Sequence, residues 1–249
     1  GKYLLATGAG LVHFNPDGVR GPVQSGSKDK PMFVTYLPPK TPNSPAETPI
    51  PVWDRYFIEV LYEDAQGVVW VGTRYDGLFR LEERDGQLAL QPVELNPRGN
   101  PRVVAMAEDQ QGNIWAAAHV KDIEGELYRL FPNGKVEHFT NPVWGITSLL
   151  ADKKGRLWAG TSHQGPKLCQ IETDSASNRS VFSRCYGKEE GLPGRWVTHL
   201  FQAGDDTIWV GTTNSAVRFD ANSPSDKPSF QLYGEQQGIC NRNVHSVNE

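Results

Sequence analysis

Long apolar runs are missing from this chain. No stretch reaches the roughly 18 consecutive apolar residues that a helix needs to cross a bilayer, and Gly1-Lys2-Tyr3-Leu4-Leu5 lacks the pattern of a secretory signal. Runs of lysine and arginine are missing as well. With 25 basic against 29 acidic residues, a net charge of −4 and a pI near 5.9, neither nucleic acid nor an anionic membrane surface is an expected partner, and no direct membrane insertion is expected. Cysteine is scarce: Cys169, Cys185 and Cys240 form no metal-spaced pair, so no zinc site, metal or other cofactor is expected. Because Gly1 falls inside a strand-like segment, the sequence reads as a piece trimmed from something longer, whose targeting signal or anchor would lie elsewhere.

What the chain does have is glycine (25), proline (18) and seven tryptophans, the composition of a turn-rich β protein. One stretch organises it. Glu63-Asp64-Ala65-Gln66-Gly67-Val68-Val69-Trp70-Val71-Gly72-Thr73 returns as Glu108 to Trp115, as Ala151 to Thr161 and as Gly204 to Thr212, placing Trp70, Trp115, Trp158 and Trp209 45, 43 and 51 residues apart. A period of that length belongs to a repeat architecture with about one small antiparallel sheet per unit. Each unit reads as an alternating strand, an acidic turn ending in Gly, a Trp-bearing strand, a short loop and two more strands. Four strands per unit is the blade of a β-propeller.

The expected fold is therefore an all-β propeller of about five four-stranded blades in a single domain over 1–249. Four blades fall at 57–95, 103–139, 146–186 and 197–233. The ends complement one another: Asn243 to Glu249 matches a first strand, and Gly1 to Thr7 matches a second strand with Leu4 at the Trp position. A fifth blade is accordingly expected from 244–249 plus 1–37, shared between the termini as in ring closure. A piece of a longer array cut at the same phase is the competing reading. Residues 38–55 form a Pro-rich loop, either a docking surface or a plain surface loop.

The acidic pair, Gly, aliphatic and Trp-Val-Gly-Thr order, followed by Gly77-Leu78-Phe79-Arg80-Leu81, resembles the two-component regulator propeller repeat. Tyr186-Gly187-Lys188-Glu189-Glu190-Gly191-Leu192-Pro193 is similar to that family's blade linker, and Tyr233 to Ile239 looks like a second copy. The resemblance implies the extracytoplasmic sensing part of a bacterial histidine kinase or related regulator, hence a periplasmic or extracellular location and neighbouring regulator domains as partners. The family's propellers are often seven-bladed, and this sequence contains no kinase, helical transmitter or membrane span.

The Trp anchors read as inter-blade packing. The turn aspartates Asp64, Asp109 and Asp152 read as acceptors of backbone N–H groups, not as catalysts. In a four-stranded blade, the residues leading into the first strand and the loop between the second and third strands share one end. That end gathers Trp53, Arg55, Tyr75, Arg102, His119, Trp144, His163, Arg195, Trp196 and Arg242 as candidate ligand-binding residues. Aromatic plates beside fixed charged and polar groups suit a small polar ligand or glycan; the alternative is that they seal the channel mouth.

No residue is read as catalytic in the leading interpretation. His119 and His163 fall in equivalent loops of adjacent blades, which is similar to the propeller lyases that inactivate streptogramin antibiotics. A lyase or glycoside-active enzyme, or a protein-interaction scaffold, is thus the alternative to a binding module. Cys169 and Cys185 fall on the third and fourth strands of one blade, nearly opposite, either as a cross-strand disulfide or as two buried thiols.

Overall fold

A computed structural model describes residues 3–21, 23, 27–39, 56–84, 87–95, 100–120, 124–141, 145–162, 165–222, 230–239 and 244. The chain divides into two compact units, Gly1–Val103 and Val104–Glu249.

In the first unit, β1 (Tyr3–Thr7), β2 (Gly10–Phe14) and β3 (Phe33–Tyr36) form a three-stranded antiparallel sheet. β4 (Ile58–Glu63), β5 (Val69–Thr73), β6 (Leu78–Arg84) and β7 (Gln87–Val93) form a four-stranded meander. Strand alternation puts Leu4, Leu11 and Tyr36 on one face of the first sheet, where they pack with Ile58, Val71, Phe79 and Leu90 of the second. The other face carries Tyr3, Phe14 and Phe33, whose rings are cross-strand neighbours at 6.0 and 5.2 Å.

The second unit holds three meanders of the same kind: β8 (Arg102–Glu108) to β11 (Val136–Asn141), β12 (Ile146–Ala151) to β15 (Arg179–Tyr186), and β16 (Val197–Gln202) to β19 (Phe230–Tyr233). Between the outer ends lie β9 (Ile114–Val120), β10 (Glu124–Leu130), β13 (Leu157–Thr161), β14 (Lys167–Asp174), β17 (Ile208–Thr212) and β18 (Ala216–Phe219). Arg102 and Val103, which open β8, group with the first unit. Strand order is sequential in every meander, and a single parallel bridge, Thr140 to Arg179, joins β11 to β15.

The Trp-bearing face of one sheet packs on the next. Trp115, Leu127 and Phe139 meet Ile146, Leu149, Leu157 and Ile171; Trp158 and Leu168 meet Val197, Leu200, Ile208 and Val210. The glycine of Trp-Val-Gly-Thr follows from this packing. A Cβ on Gly72 would stand 2.5 Å from Val60 Cγ1 and 2.9 Å from Val103 Cγ1, so no side chain fits where the next sheet's opening residue lies. Val244 repeats that relationship: its N–H donates to Thr212 O, and its own carbonyl accepts from the Thr198 hydroxyl.

Cys169 and Cys185 are directly opposite on β14 and β15 and form a disulfide, which decides between the bridge and the two buried thiols.

Candidate functional site

The residues leading into a first strand do meet the loop between the second and third strands. Arg74 N–H donates to Phe57 O at 3.0 Å, and Ser162 N–H donates to Gly145 O at 2.8 Å. In two meanders a threonine closes the loop. Thr73 Oγ1 donates to Gly77 O and accepts from Asp76 N–H, and Thr212 Oγ1 donates to Ser215 O. Gly77, at φ 84°, supplies the left-handed step this turn requires.

The meander of β8 to β11 departs from this pattern. Its residue at the threonine position is Ala118, and the ladder continues past it, pairing Ala118 with Glu126, His119 with Gly125 and Val120 with Glu124. His119 is therefore a half-buried strand residue, a correction to its expected placement in a loop.

In the first unit, Glu59 on β4 is central. One carboxylate oxygen, Oε1, accepts from Arg74 Nε at 2.6 Å and from Arg102 Nε at 2.9 Å. The Arg74 guanidinium lies 4.0 Å from the Phe57 ring centroid, a cation–π contact. Tyr75 is half-buried, and Asp76 is buried. Asn100 sits against Gly77, where an added Cβ would be 3.5 Å from Asn100 Cβ. Two guanidinium groups around one carboxylate give this cluster a formal charge of +1.

In the second unit, Arg195 N–H donates to Thr213 Oγ1 at 2.8 Å, while the Arg195 side chain is exposed. Next to it, Trp196 is 50% exposed, an unusual exposure for an indole. The linker before them is firmly seated: Leu192 is buried, Leu192 N–H donates to Gly187 O, and Gly187 N–H donates to Glu190 Oε2. Trp53, Arg55, Trp144, His163 and Arg242 lie outside the described residues.

Glu59 was missed by reading the sequence. The available signal was its position: the residues at the equivalent step of β8, β12 and β16 are Val104, Thr147 and Thr198, so a carboxylate there is out of pattern.

The turn aspartates occupy the opposite end. Asp64, Asp109 and Asp152 each accept two backbone N–H bonds within the turn, as expected. Each also accepts the indole N–H of the Trp six residues on, at 2.8 to 2.9 Å. Burial pushes Asp109 and Asp152 up, but hydrogen bonds from Asn113 and Trp115, and from Trp158 and Arg156, outweigh it and hold both below the usual carboxylate range. These carboxylates are ionised structural acceptors. In the last meander Ala203 replaces the aspartate. Asp205, lowered to about 2 by hydrogen bonds from Thr207 and Arg218, holds that turn instead. Among the described residues no three His, Cys, Asp or Glu side chains come together in a metal-ligating group.

Residues 54–75, 140–163 and 191–214 match the family described as two component regulator propeller, each segment spanning a first strand, the turn and the following strand. These three segments are two component regulator propeller repeats. The chain's fold is accordingly all-β and of the β-propeller class, with the antiparallel meanders as blades. No curated protein matches the chain.

Several solved structures are similar to the chain. A gluconolactonase of Xanthomonas campestris is 12% identical, with 91% of this chain and 69% of that one covered, at a TM-score of 0.56. Virginiamycin B lyase of Staphylococcus aureus, in a complex with quinupristin, is 15% identical over 90% of this chain and 62% of that one, at 0.52. The extracellular domain of a hybrid two component system of B. thetaiotaomicron is 16% identical over 74% of this chain, at 0.43, and the chain spans only 29% of its length.

Proposed function

We propose that the chain is a non-catalytic sensing module of a bacterial extracytoplasmic signalling regulator, one that binds a small polar molecule or glycan at the loop end of its blades. The observation that carries this reading is the presence of two component regulator propeller repeats in three segments. Exposed Trp196 beside Arg195, and the Glu59, Arg74 and Arg102 cluster, support it, because a polar ligand needs an aromatic plate and fixed charges. The Cys169–Cys185 disulfide agrees with an oxidising compartment, periplasmic or extracellular. Neighbouring domains of a parent regulator are the partners this reading requires.

A screen of neutral glycans and small acids by thermal shift tests it. A ligand at about 100 times its Kd raises stability by about 2.7 kcal/mol, and Trp196→Ala or Arg102→Gln should abolish the shift for a ligand bound in the respective unit. Consumption of the bound compound, followed by NMR, would replace the sensor reading with an enzyme on the fold shared with the lactonase and the lyase. A shift that persists in every loop-end variant would move the site elsewhere.

A further inference from the structure

The first strands β4, β12 and β16 share a position at which one blade is tied to the next. In β12 the Thr147 hydroxyl donates to Val197 O at 2.5 Å, and in β16 the Thr198 hydroxyl donates to Val244 O. Both ties are neutral. At the equivalent step in β4 stands Glu59, whose tie runs to Arg102, the residue before Val103. A carboxylate with 12% of its side chain exposed, and two guanidinium groups brought to it, do with charge what a hydroxyl does elsewhere in the same chain. Charged groups drawn out of water carry a desolvation cost that a threonine does not, so packing alone does not account for the substitution.

The geometry also leaves something over. Glu59 engages both arginines through Nε, at 2.6 and 2.9 Å. Arg102 is 42% exposed, and among the described residues its two terminal nitrogens take part in no hydrogen bond. Glu59, Arg74 and Arg102 sum to a formal charge of +1, and half-buried Tyr75 and buried Asp76 follow Arg74 in the chain.

We propose that Glu59, Arg74 and Arg102 form an anion subsite that takes a carboxylate group of the ligand. The two terminal N–H groups of Arg102 meet the two carboxylate oxygens side by side, and Glu59 holds the guanidinium in place through Nε. A planar guanidinium matches a carboxylate in this two-pronged way, whereas an ammonium does not. The proposal deepens the reading of the loop end as the binding end and rests on it. Sugar acids and small organic acids share the chemistry.

The test is isothermal titration with tri-galacturonate, its fully methyl-esterified form and citrate, on the wild type, Arg102→Gln, Arg102→Lys and the remote control Arg84→Ala. The expected result is that tri-galacturonate binds the wild type at least about tenfold more tightly than the ester does, a loss of about 1.4 kcal/mol on esterification. Arg102→Gln should lose that preference, Arg102→Lys should recover only part of it, and Arg84→Ala should leave it intact. Citrate binding as tightly as tri-galacturonate supports the subsite and names a small acid as the source of the carboxylate.

Equal binding of acid and ester to the wild type overturns the subsite while leaving the loop end as the binding end. Absence of binding by either acid overturns the subsite too, and the binding-end reading then stands or falls with the neutral glycans. The acid and ester comparison uses the wild-type protein, so it decides even where Arg102→Gln fails to fold.

Discussion

Trp158 Nε1 donates a hydrogen bond of 2.9 Å to Oδ2 of Asp152, six residues earlier in the chain. Asp152 is 1% exposed, and it also accepts the N–H groups of Lys154 and Arg156 and the Arg156 side chain at 2.6 Å. One carboxylate thus fixes the turn, orients the indole that packs on Leu200, Val197 and Ile208, and neutralises an arginine.

Asp152→Ala should therefore cost more than a surface change. It strands two backbone N–H groups, an indole N–H and a partly buried guanidinium, with an expected loss of about 3 kcal/mol. Asp64→Ala, at a more exposed turn, should cost about 1 to 2 kcal/mol. Urea unfolding of both variants measures the ranking, and equal losses would mean that the deeper burial of Asp152 and its bond to Arg156 contribute nothing beyond what Asp64 has.

Acid should weaken the fold in a defined window. A carboxyl whose folded pKa is depressed contributes stability that is complete above its unfolded pKa, about 3.9. That contribution is lost as pH falls through the depressed folded value. For Asp109 and Asp152, the urea midpoint should be flat from about pH 7 to about pH 5 and fall below about pH 4. Asp152→Asn should flatten part of that fall. A wild-type midpoint unchanged down to pH 3 would contradict the assignment.

Much of the fold was legible beforehand because the blade is a local object. Strands and turns within one repeat are contiguous, and the Asp-to-Gly turn and the facing Cys169 and Cys185 follow from short spacings. The indole-to-carboxylate bond was not read, although six residues separate its partners, because it depends on how the second strand twists its Trp back over the turn. The Glu59–Arg102 bond joins residues 43 apart in two different blades, and no spacing rule reports it. The extension of β9 through His119 passes Ala118, where the other meanders carry a threonine.

Restoring the aspartate should stabilise the last blade. Ala203 stands where Asp64, Asp109 and Asp152 stand, and the same turn bonds form around it: Ala203 N–H to Thr207 O and Asp206 N–H to Ala203 O. Ala203→Asp would give the half-buried Trp209 an acceptor for its indole N–H, with an expected gain of about 1 kcal/mol and an altered Trp209 emission. A loss of stability would show that Asp205 and Arg218 have committed the turn to another geometry.

Reduction of the disulfide should be felt through the unfolded chain. Cys169 and Cys185 enclose a separation of 16 residues, for which the loop-entropy account gives about 3 kcal/mol. The double variant Cys169→Ser with Cys185→Ser, or the wild type in reductant, should unfold at correspondingly lower urea. No change would mean that the bridge does not form in the protein as prepared.

Val244 occupies, at the close of the last meander, the place Val197 occupies at the close of the one before it, held by a threonine hydroxyl and by the strand that carries Gly211. A sheet of four strands is consequently not the exchangeable module of this protein. A blade moved into another propeller would leave behind the residue that covers its own glycine, and it would arrive with that seat empty. Grafts should be cut one residue late, so that each transplanted blade carries the opening residue of its successor.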